Sequence, residues 1–263
     1  MSDDCPQSEE SANLNRSGAG VEVLIDGSHR GSTLTTFANA LSERGFAVTT
    51  KQAGNGEGLT TTDLSKFDVV VIPVPQRPYT EAELQKIHEY VESGGSLFAV
   101  GQWTDPLRGK AKDINAITDR YGLHFNGETN SSLRNIQDPT DTTVEDYDWR
   151  VLLHNTVDHP ITNGVETIEY DGVGLNVSDG GIGTQSPLLY GDEDTYEFTY
   201  STSEKRFERG KEIVGGAAAW DIGQNGRVVA FGSQKTLTSY IKESWREEHV
   251  QTDSRRFVMR TMK

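Results

Sequence analysis

The chain has 263 residues, and its 40 acidic residues outnumber its 25 basic residues, which gives a formal net charge of −15 and a pI of about 4.8. We expect no nucleic-acid partner, because phosphates would meet electrostatic repulsion over most of this surface. The single cysteine, Cys5, excludes an intrachain disulfide, a cysteine metal cluster and a CxxC redox pair. Apolar runs are much shorter than the roughly 20 residues that cross a bilayer, and the N-terminus lacks the layout of a signal peptide, so we expect a cytoplasmic protein without direct membrane insertion.

The first segment, residues 1–19, is rich in Ser, Asp and Glu and has no apolar periodicity, so we expect a disordered acidic tail. The sequence then predicts a strand over 21–25, a helix with apolar residues at helical spacing over 34–41, and a second strand over 46–50. Residues 68–72 (DVVVI) are nearly all apolar. That pattern is typical of a strand covered on both faces in a parallel sheet.

The second predicted helix has clear start and stop signals. Residues 80–83 (TEAE) have the pattern of a capping box, and Gly94 and Gly95 end the helix before an apolar strand over 96–100. The rest of the chain predicts a helix over 112–121, a short strand over 123–125, an irregular polar segment over 126–150, strands over 167–170, 173–177, 188–190, 197–200, 213–219 and 227–231, and a helix over 255–262. We therefore predict one α/β domain over residues 20–263, with a doubly wound, mostly parallel sheet and a β-rich second half.

The acidic residues are unevenly spread, since residues 151–200 contain no Lys or Arg. Two explanations remain open at this point. One is adaptation to high salt, where the repulsion between neighbouring carboxylates is screened. The other is an ordinary acidic cytosolic protein.

Polar side chains follow several of the predicted strands. Because ligands of open parallel sheets bind beyond the carboxyl ends of the strands, these side chains form a candidate ligand-binding rim. Its members are Asp26, Ser28, His29, Arg30, Gln76, Arg77, Gln102, Trp103 and Ser233. Structural roles remain open for them: Asp26 and Ser28 can cap a helix, and Trp103 can be a packing residue. Two arginines on one rim of so acidic a protein would nevertheless form a local anion site.

Four segments carry a resemblance to a known family. They are VLIDGSHRGS (23–32), FDVVVIPVPQRPYTEAELQKIHEYVESGGSLFAVG (67–101), HPITNGVETI (159–168) and GRVVAFGSQKTL (226–237). Together they resemble the glutamine-amidotransferase-like domains of the gliding-motility and intraflagellar-transport group, which includes soluble domains associated with bacterial ABC systems. The resemblance extends over about residues 21–263. It implies a flavodoxin-like sheet and a role in binding or assembly rather than chemistry.

The sequence departs from the catalytic relatives of that group at their nucleophile. Class I amidotransferases have a cysteine at a sharp turn between a strand and a helix, which is expected here at residues 101–103. The amide of Gln102 cannot act as that nucleophile, and Cys5 lies in the predicted tail. No GxSxG motif occurs, and Ser28 and Ser233 have no evident partner. We therefore predict no catalytic residue of the amidotransferase type.

Enzymatic alternatives remain open. His154, Asp158 and His159 could supply metal ligands together with Asp26 and His29, but their spacing matches no recognised ligand motif. We predict no metal and no cofactor. The leading hypothesis is a non-catalytic domain that binds a partner protein or a small polar ligand at the rim. The alternative is a hydrolase of a glycan or similar polar substrate, as in the trehalose-utilisation relatives of this fold, and a homo-oligomer is also open.

Overall fold

The structure, a computed structural model, describes residues 18–53, 58–102, 111–126, 131–136, 147–148, 151–155, 157–191, 195–200, 205–209, 213–238 and 253–262. The predicted tail over residues 1–19 lies outside these ranges except for its last two residues. Within the described ranges, no helix is long and apolar enough to cross a membrane.

Two β-sheets, five α-helices and three short 3₁₀ helices (Leu59–Thr61, Leu64–Lys66 and Asp119–Tyr121) form the described regular structure. The strands are β1 (Glu22–Gly27), β2 (Ala47–Gln52), β3 (Val69–Pro73), β4 (Ser96–Val100), β5 (Leu123–Phe125), β6 (Ser131–Ile136), β7 (Tyr147–Asp148), β8 (Val151–Asn155), β9 (Thr167–Tyr170), β10 (Leu175–Val177), β11 (Thr184–Tyr190), β12 (Thr195–Tyr200), β13 (Lys205–Arg209), β14 (Val214–Ile222) and β15 (Gly226–Phe231). The helices are α1 (Thr35–Ser42), α2 (Glu81–Glu92), α3 (Ala111–Thr118), α4 (Gln234–Thr238) and α5 (Ser254–Thr261).

The first four strands of the chain and β15 build a parallel sheet with helices on both faces. Strands β2, β1, β3, β4 and β15 lie side by side and run parallel. All five residues of β3 are buried, as its continuous apolar sequence predicts for a strand covered on both sides. Helix α1 packs Phe37 and Leu41 into the core on one face, whereas α2 packs Ile87 and Val91 into the core on the other.

The order of these strands places a switch point between β1 and β3. From β1 the chain passes through α1 to β2 on one side, and it then returns to form β3 on the other side of β1. Helices α1 and α2, which follow β1 and β3, therefore diverge to opposite faces of the sheet. In open α/β sheets this divergence is where ligands bind.

Helix α2 begins and ends as its sequence predicts. The Thr80 hydroxyl accepts a hydrogen bond from the Glu83 backbone N–H, and the Glu83 carboxylate accepts one from the Thr80 N–H, which completes the capping box. At the other end, Gly94 adopts a φ of 102°, a left-handed conformation that favours glycine. This helix fixes one side of the switch point.

The second half of the main sheet is antiparallel. Beyond β15 the order continues β14, β11, β8 and β9, while β10 pairs with β14 and β5, all in antiparallel register. Parallel pairing thus joins five of the eleven strands in this sheet, so the sheet is mixed rather than mostly parallel. The predicted α/β architecture with a β-rich second half is confirmed. Hairpins such as β14–β15 need no crossover helix, which accounts for the antiparallel arrangement.

A second sheet of four strands, in the order β13, β12, β6 and β7, corrects one prediction. Residues 126–150 were expected to be irregular, yet they contain β6 and β7, and β13 was not predicted at all. Strand β6 has the sequence SSLRNI, which lacks a clear apolar pattern. This segment is a strand because it pairs with β12, although its local sequence does not indicate one. Strand formation depends strongly on the neighbouring strand.

Candidate functional site

The end of β1 brings a carboxylate into the interior at the switch point. Asp26 is only 1% exposed, because β1 is flanked by a strand on each side. Its Oδ1 accepts a hydrogen bond from the Ser28 N–H at 3.1 Å, and its Oδ2 accepts one from the Tyr79 hydroxyl at 3.0 Å. Asp26 therefore joins the loop after β1 to the loop after β3.

His29 lies between two carboxylates. Its Nε2 is 3.2 Å from Oε2 of Glu83, and its Nδ1 is 3.8 Å from Oδ2 of Asp26 and 3.0 Å from the Ser28 hydroxyl. The imidazole also stacks on the Tyr79 ring, with 3.7 Å between the ring centroids. The side chain is buried, and these contacts involve both ring nitrogens and one face of the ring.

Glu83 completes the buried network formed by Asp26, His29, Tyr79 and Glu83, which we call the switch-point network. Its Oε2 accepts hydrogen bonds from the backbone N–H and the hydroxyl of Thr80, and its Oε1 accepts one from the Leu59 N–H at 2.8 Å. A Cβ on Gly58 would lie 1.9 Å from Oε1, so this segment approaches the carboxylate closely. Sequence reasoning identified Glu83 only as part of a capping box and did not identify Tyr79.

The surroundings keep both carboxylates ionised. Burial alone would raise the pKa of Asp26, but the close contact with His29 and the hydrogen bonds with Ser28 and Tyr79 outweigh burial and lower that pKa below its ordinary value. Burial likewise acts to raise the pKa of Glu83, and its hydrogen bonds with Thr80 and Leu59 and the charge of His29 lower it overall. Both groups are therefore hydrogen-bond acceptors at neutral pH.

The same network favours the charged imidazole. Burial alone would lower the pKa of His29, whereas the close contact with Asp26 and the charges of Glu83 and Asp26 raise it overall. Burial and the neighbouring Asp26 raise the pKa of Tyr79 well above its ordinary value, so its hydroxyl stays a donor. The switch-point network thus consists of ion pairs and hydrogen bonds that satisfy one another.

Three further members of the predicted rim are exposed above this network. The side chains of Arg30, Gln76 and Arg77 face solvent, and the Gln76 N–H donates to the His29 carbonyl at 2.9 Å. Arg30 and Val74 have positive φ angles of 60° and 29°. Such strained conformations persist only where the surrounding structure holds them, and they concentrate at functional sites. The two loops therefore each carry an exposed arginine at this edge of the sheet.

Gln102 and Ser233 belong to a second group, centred on Asp171. The Gln102 side chain donates to the Asp171 carbonyl at 3.1 Å and accepts a hydrogen bond from the Lys235 N–H at 3.0 Å. The Ser233 hydroxyl donates to the same carbonyl at 2.8 Å, and it also accepts a hydrogen bond from the Thr236 N–H. These contacts tie the ends of β4 and β15 to the loop after β9. Trp103, the remaining predicted member, lies outside the described residues.

The histidines considered as metal ligands have other contacts. The His154 ring is 3.4 Å from the Thr167 hydroxyl, and the His159 ring packs against Trp220 with 4.9 Å between centroids. Among the residues that the structure describes, no group of three or more His, Cys, Asp or Glu side chains is arranged to hold a metal ion. Ser28 and Ser233, for which no partner was evident from the sequence, both have hydrogen-bond partners.

Solved structures show the same fold at low sequence identity. The mmIFT52 N-terminal domain superposes with a TM-score of 0.60 and 13% identity, over 90% of this chain and 93% of that one. The cytoplasmic protein STM3548 from Salmonella typhimurium gives 0.52 and 13% identity over 92% and 97%. PurLQS from Thermotoga maritima gives 0.50 and 13% identity over 92% and 97%. These similarities support the predicted amidotransferase-like α/β fold.

Sequence comparison provides the family. A search of curated protein sequences gives no significant match. One family model, described as "OST48, N-terminal domain", matches residues 12–263. This name differs from the group indicated by the four sequence segments, although that group is represented among the fold neighbours by the mmIFT52 N-terminal domain. Because the match extends over nearly the whole chain, the protein belongs to the family of OST48 N-terminal domains.

Proposed function

We propose that this chain is a non-catalytic binding domain that recognises a partner protein or a small polar ligand through the loops after β1 and β3. One observation carries the proposal. The groups best suited to acid–base chemistry, Asp26, His29 and Glu83, are buried and satisfy one another, while Arg30 and Arg77 are exposed on the same loops. In this proposal the switch-point network holds the exposed recognition surface in place and takes no part in a chemical reaction.

The rigidity of these loops supports a role in recognition. Glu83 contacts the loop after β1, its own helix start and the segment at Leu59, so three pieces of chain are held by one carboxylate. A surface that is already ordered loses less conformational entropy on binding. The exposed rim therefore needs little rearrangement to accept a partner.

The charge of the rim supports an acidic or anionic partner group. The chain as a whole has a net charge of −15, so two exposed arginines on adjoining loops differ in sign of charge from the chain as a whole. A carboxylate can form two parallel hydrogen bonds with one guanidinium. We propose that acidic side chains of a partner protein bind Arg30 and Arg77, and that Gln76 adds neutral hydrogen bonds.

The fold neighbours add support for an assembly role. The mmIFT52 N-terminal domain, which belongs to the group that the sequence segments resemble, has this fold over nearly all of its length. We propose that the present chain resembles it in acting as a binding module, and that it does so in the cytoplasm.

Charge reversal on the rim tests this proposal. Tagged wild-type protein and the variants Arg30→Glu, Arg77→Glu and Lys112→Glu are used to isolate partners from the source lysate, and captured proteins are quantified by mass spectrometry. Lys112 is an exposed cation on α3 and controls for the change in net charge. We expect at least one protein to be captured by the wild type and the Lys112 variant but lost from both arginine variants. An identical captured set for all four proteins would contradict the proposal.

One contact favours the hydrolase as the second candidate. The Ser28 hydroxyl, the His29 ring and the Glu83 carboxylate form a chain with separations of 3.0 and 3.2 Å, the order found in serine hydrolases. However, the raised pKa of His29 favours a protonated Nδ1, which donates to Ser28 rather than accepting its proton. Hydrolysis of nitrophenyl esters or glycosides that Ser28→Ala, Asp26→Asn and His29→Ala each abolish would establish the hydrolase.

A further inference from the structure

A cavity of about 650 Å³ lies on the edge of the sheet opposite the rim. It opens where the amino ends of β1, β3, β4 and β15 meet, and the last turn of α2 forms one wall. Its volume falls within the range of small-molecule sites, which is about 300–1,000 Å³. The residues that matter here are Phe67, Asp68, Lys86, Tyr90, Ser96 and Arg227.

Arg227 is the unusual member of this lining. It is half-buried, and its Nε donates to the Ser96 hydroxyl at 2.9 Å. Among the residues that the structure describes, it has no carboxylate within ion-pair distance and no further hydrogen-bond acceptor. More exposed cations do have carboxylate partners, as in the pairs Arg120–Glu92 at 2.6 Å and Lys235–Asp171 at 2.8 Å.

The absence of a carboxylate beside this guanidinium, within the described part of the chain, is unexpected on physical grounds. Removing a cation from water is costly unless an anion or hydrogen-bond acceptors replace the water. Burial lowers the pKa of Arg227, and only the neighbouring Tyr90 acts in the opposite direction. The three carboxylates in the lining have other partners: Asp68 accepts from the Glu22 N–H at 2.8 Å, Asp63 accepts from Ser65, and Glu89 accepts from the Gln85 side chain at 2.8 Å.

The remaining lining indicates the kind of ligand. With Nε bonded to Ser96, the two Nη groups of Arg227 form a fork suited to the two oxygens of a carboxylate or phosphate. Lys86, a second cation in the lining, donates to the Thr60 carbonyl at 2.7 Å and has no carboxylate partner among the described residues. Phe67 and Tyr90 add aromatic surface that suits an apolar or planar ligand body.

We propose that this cavity binds a small organic anion, whose carboxylate or phosphate pairs with the Nη groups of Arg227 and whose body packs against Phe67 and Tyr90. The site is independent of the rim, because it lies at the opposite ends of the same strands. Its occupant supplies the negative charge that the chain does not place beside Arg227.

Titrations with three probes of similar shape test the site. Benzoate, phenyl phosphate and the neutral benzyl alcohol are added to ¹⁵N-labelled protein at constant ionic strength, and shifts of the backbone amides lining the cavity are followed by NMR. We expect one or both anions to bind saturably, with a Kd near about 1 mM, and the alcohol not to bind. The anion that binds more tightly identifies the headgroup chemistry.

Variants separate a site at Arg227 from general anion attraction. Arg227→Gln is expected to weaken anion binding about tenfold or more, the effect of losing a charge-assisted pair. Arg120→Gln, which removes an exposed arginine elsewhere, should leave binding unchanged. Should Arg227→Gln fail to fold, Arg227→Lys keeps the charge without the fork and should still weaken binding. Equal binding by the wild type and the Arg227 variant, or no saturable binding of either anion, would overturn the proposal.

Discussion

The Nε2 of His29 and the Oε2 of Glu83 lie 3.2 Å apart, although 54 residues separate the two positions in the sequence. His29 belongs to the loop after β1, and Glu83 lies in the first turn of α2, so their contact crosses the switch point of the sheet. The other carboxylate oxygen of Glu83 holds the Leu59 N–H. One side chain thus fixes the relative positions of three chain segments that shape the rim.

Removing this carboxylate should destabilise the fold. We expect Glu83→Ala to lower the free energy of unfolding by about 3 kcal/mol, because it deletes half of a capping box and leaves buried donors on His29 and Leu59 without an acceptor. Urea unfolding at pH 6 measures the change. Glu81→Ala is the matched control, since Glu81 is an exposed acid in the same helical turn and should change stability by no more than about 0.5 kcal/mol. Equal losses in the two variants would show that the buried contacts of Glu83 contribute nothing.

The switch-point network predicts a specific pH dependence. Because the pKa of His29 is raised in the folded protein, its stabilising contribution is fully present below its unfolded pKa of about 6.5 and is lost as pH rises through the folded value. The lowered pKa values of Asp26 and Glu83 act at the acidic end, where stability is lost as pH falls through their folded values. The free energy of unfolding should therefore decrease on raising the pH above about 6.5.

His29→Gln tests this assignment. Burial lowers the pKa of His88 and of His159, so their contributions are complete above pH 6.5 and do not change there. The decrease in stability above that pH should consequently disappear in His29→Gln and remain in His88→Gln. Urea unfolding at half-unit pH steps provides the comparison. A decrease of the same size in His29→Gln and the wild type would assign it to another group.

Part of this site could be predicted from the sequence, and part could not. Asp26, Ser28 and His29 are neighbours in the chain, so any turn after β1 brings them together. Tyr79 and Glu83 join them only because the loop after β3 folds back across the switch point. That path depends on contacts between distant backbone segments, such as the hydrogen bond from the Gln76 N–H to the His29 carbonyl. A single sequence shows the capping box around Glu83 but not the histidine that it also binds.

The fold likewise has strands that could be predicted from the sequence and strands that could not. Strands β3 and β4 are continuous apolar runs, so their burial on both faces could be predicted from composition. Strands β6 and β13 are rich in polar and charged residues and form by pairing with β12. The direction of the strands in the second half was equally inaccessible, because alternation and apolarity do not distinguish a hairpin from a crossover over short segments.

Gln102 is expected to contribute to stability rather than to turnover. Its amide bridges the Asp171 carbonyl and the Lys235 N–H, so Gln102→Ala should lower the free energy of unfolding by about 1–2 kcal/mol. Gln76→Ala, which truncates an exposed glutamine, should have little effect. Thermal and urea unfolding measure both variants. If Gln102→Ala leaves stability unchanged, the second group does not hold the ends of β4 and β15 together.

The net charge of −15 predicts that concentrated salt stabilises the protein. At an ionic strength of about 1 M the Debye length falls to about 3 Å, so repulsion between exposed carboxylates is screened, whereas the buried pair of His29 and Glu83 is affected much less. The melting temperature should therefore be higher in molar KCl than in dilute buffer. A variant that neutralises three exposed acids, Glu43→Gln, Glu81→Gln and Asp179→Asn, should melt higher in dilute buffer and gain less from KCl. If salt leaves the melting temperature of the wild type unchanged, its acidity is that of an ordinary acidic protein and not an adaptation to high salt.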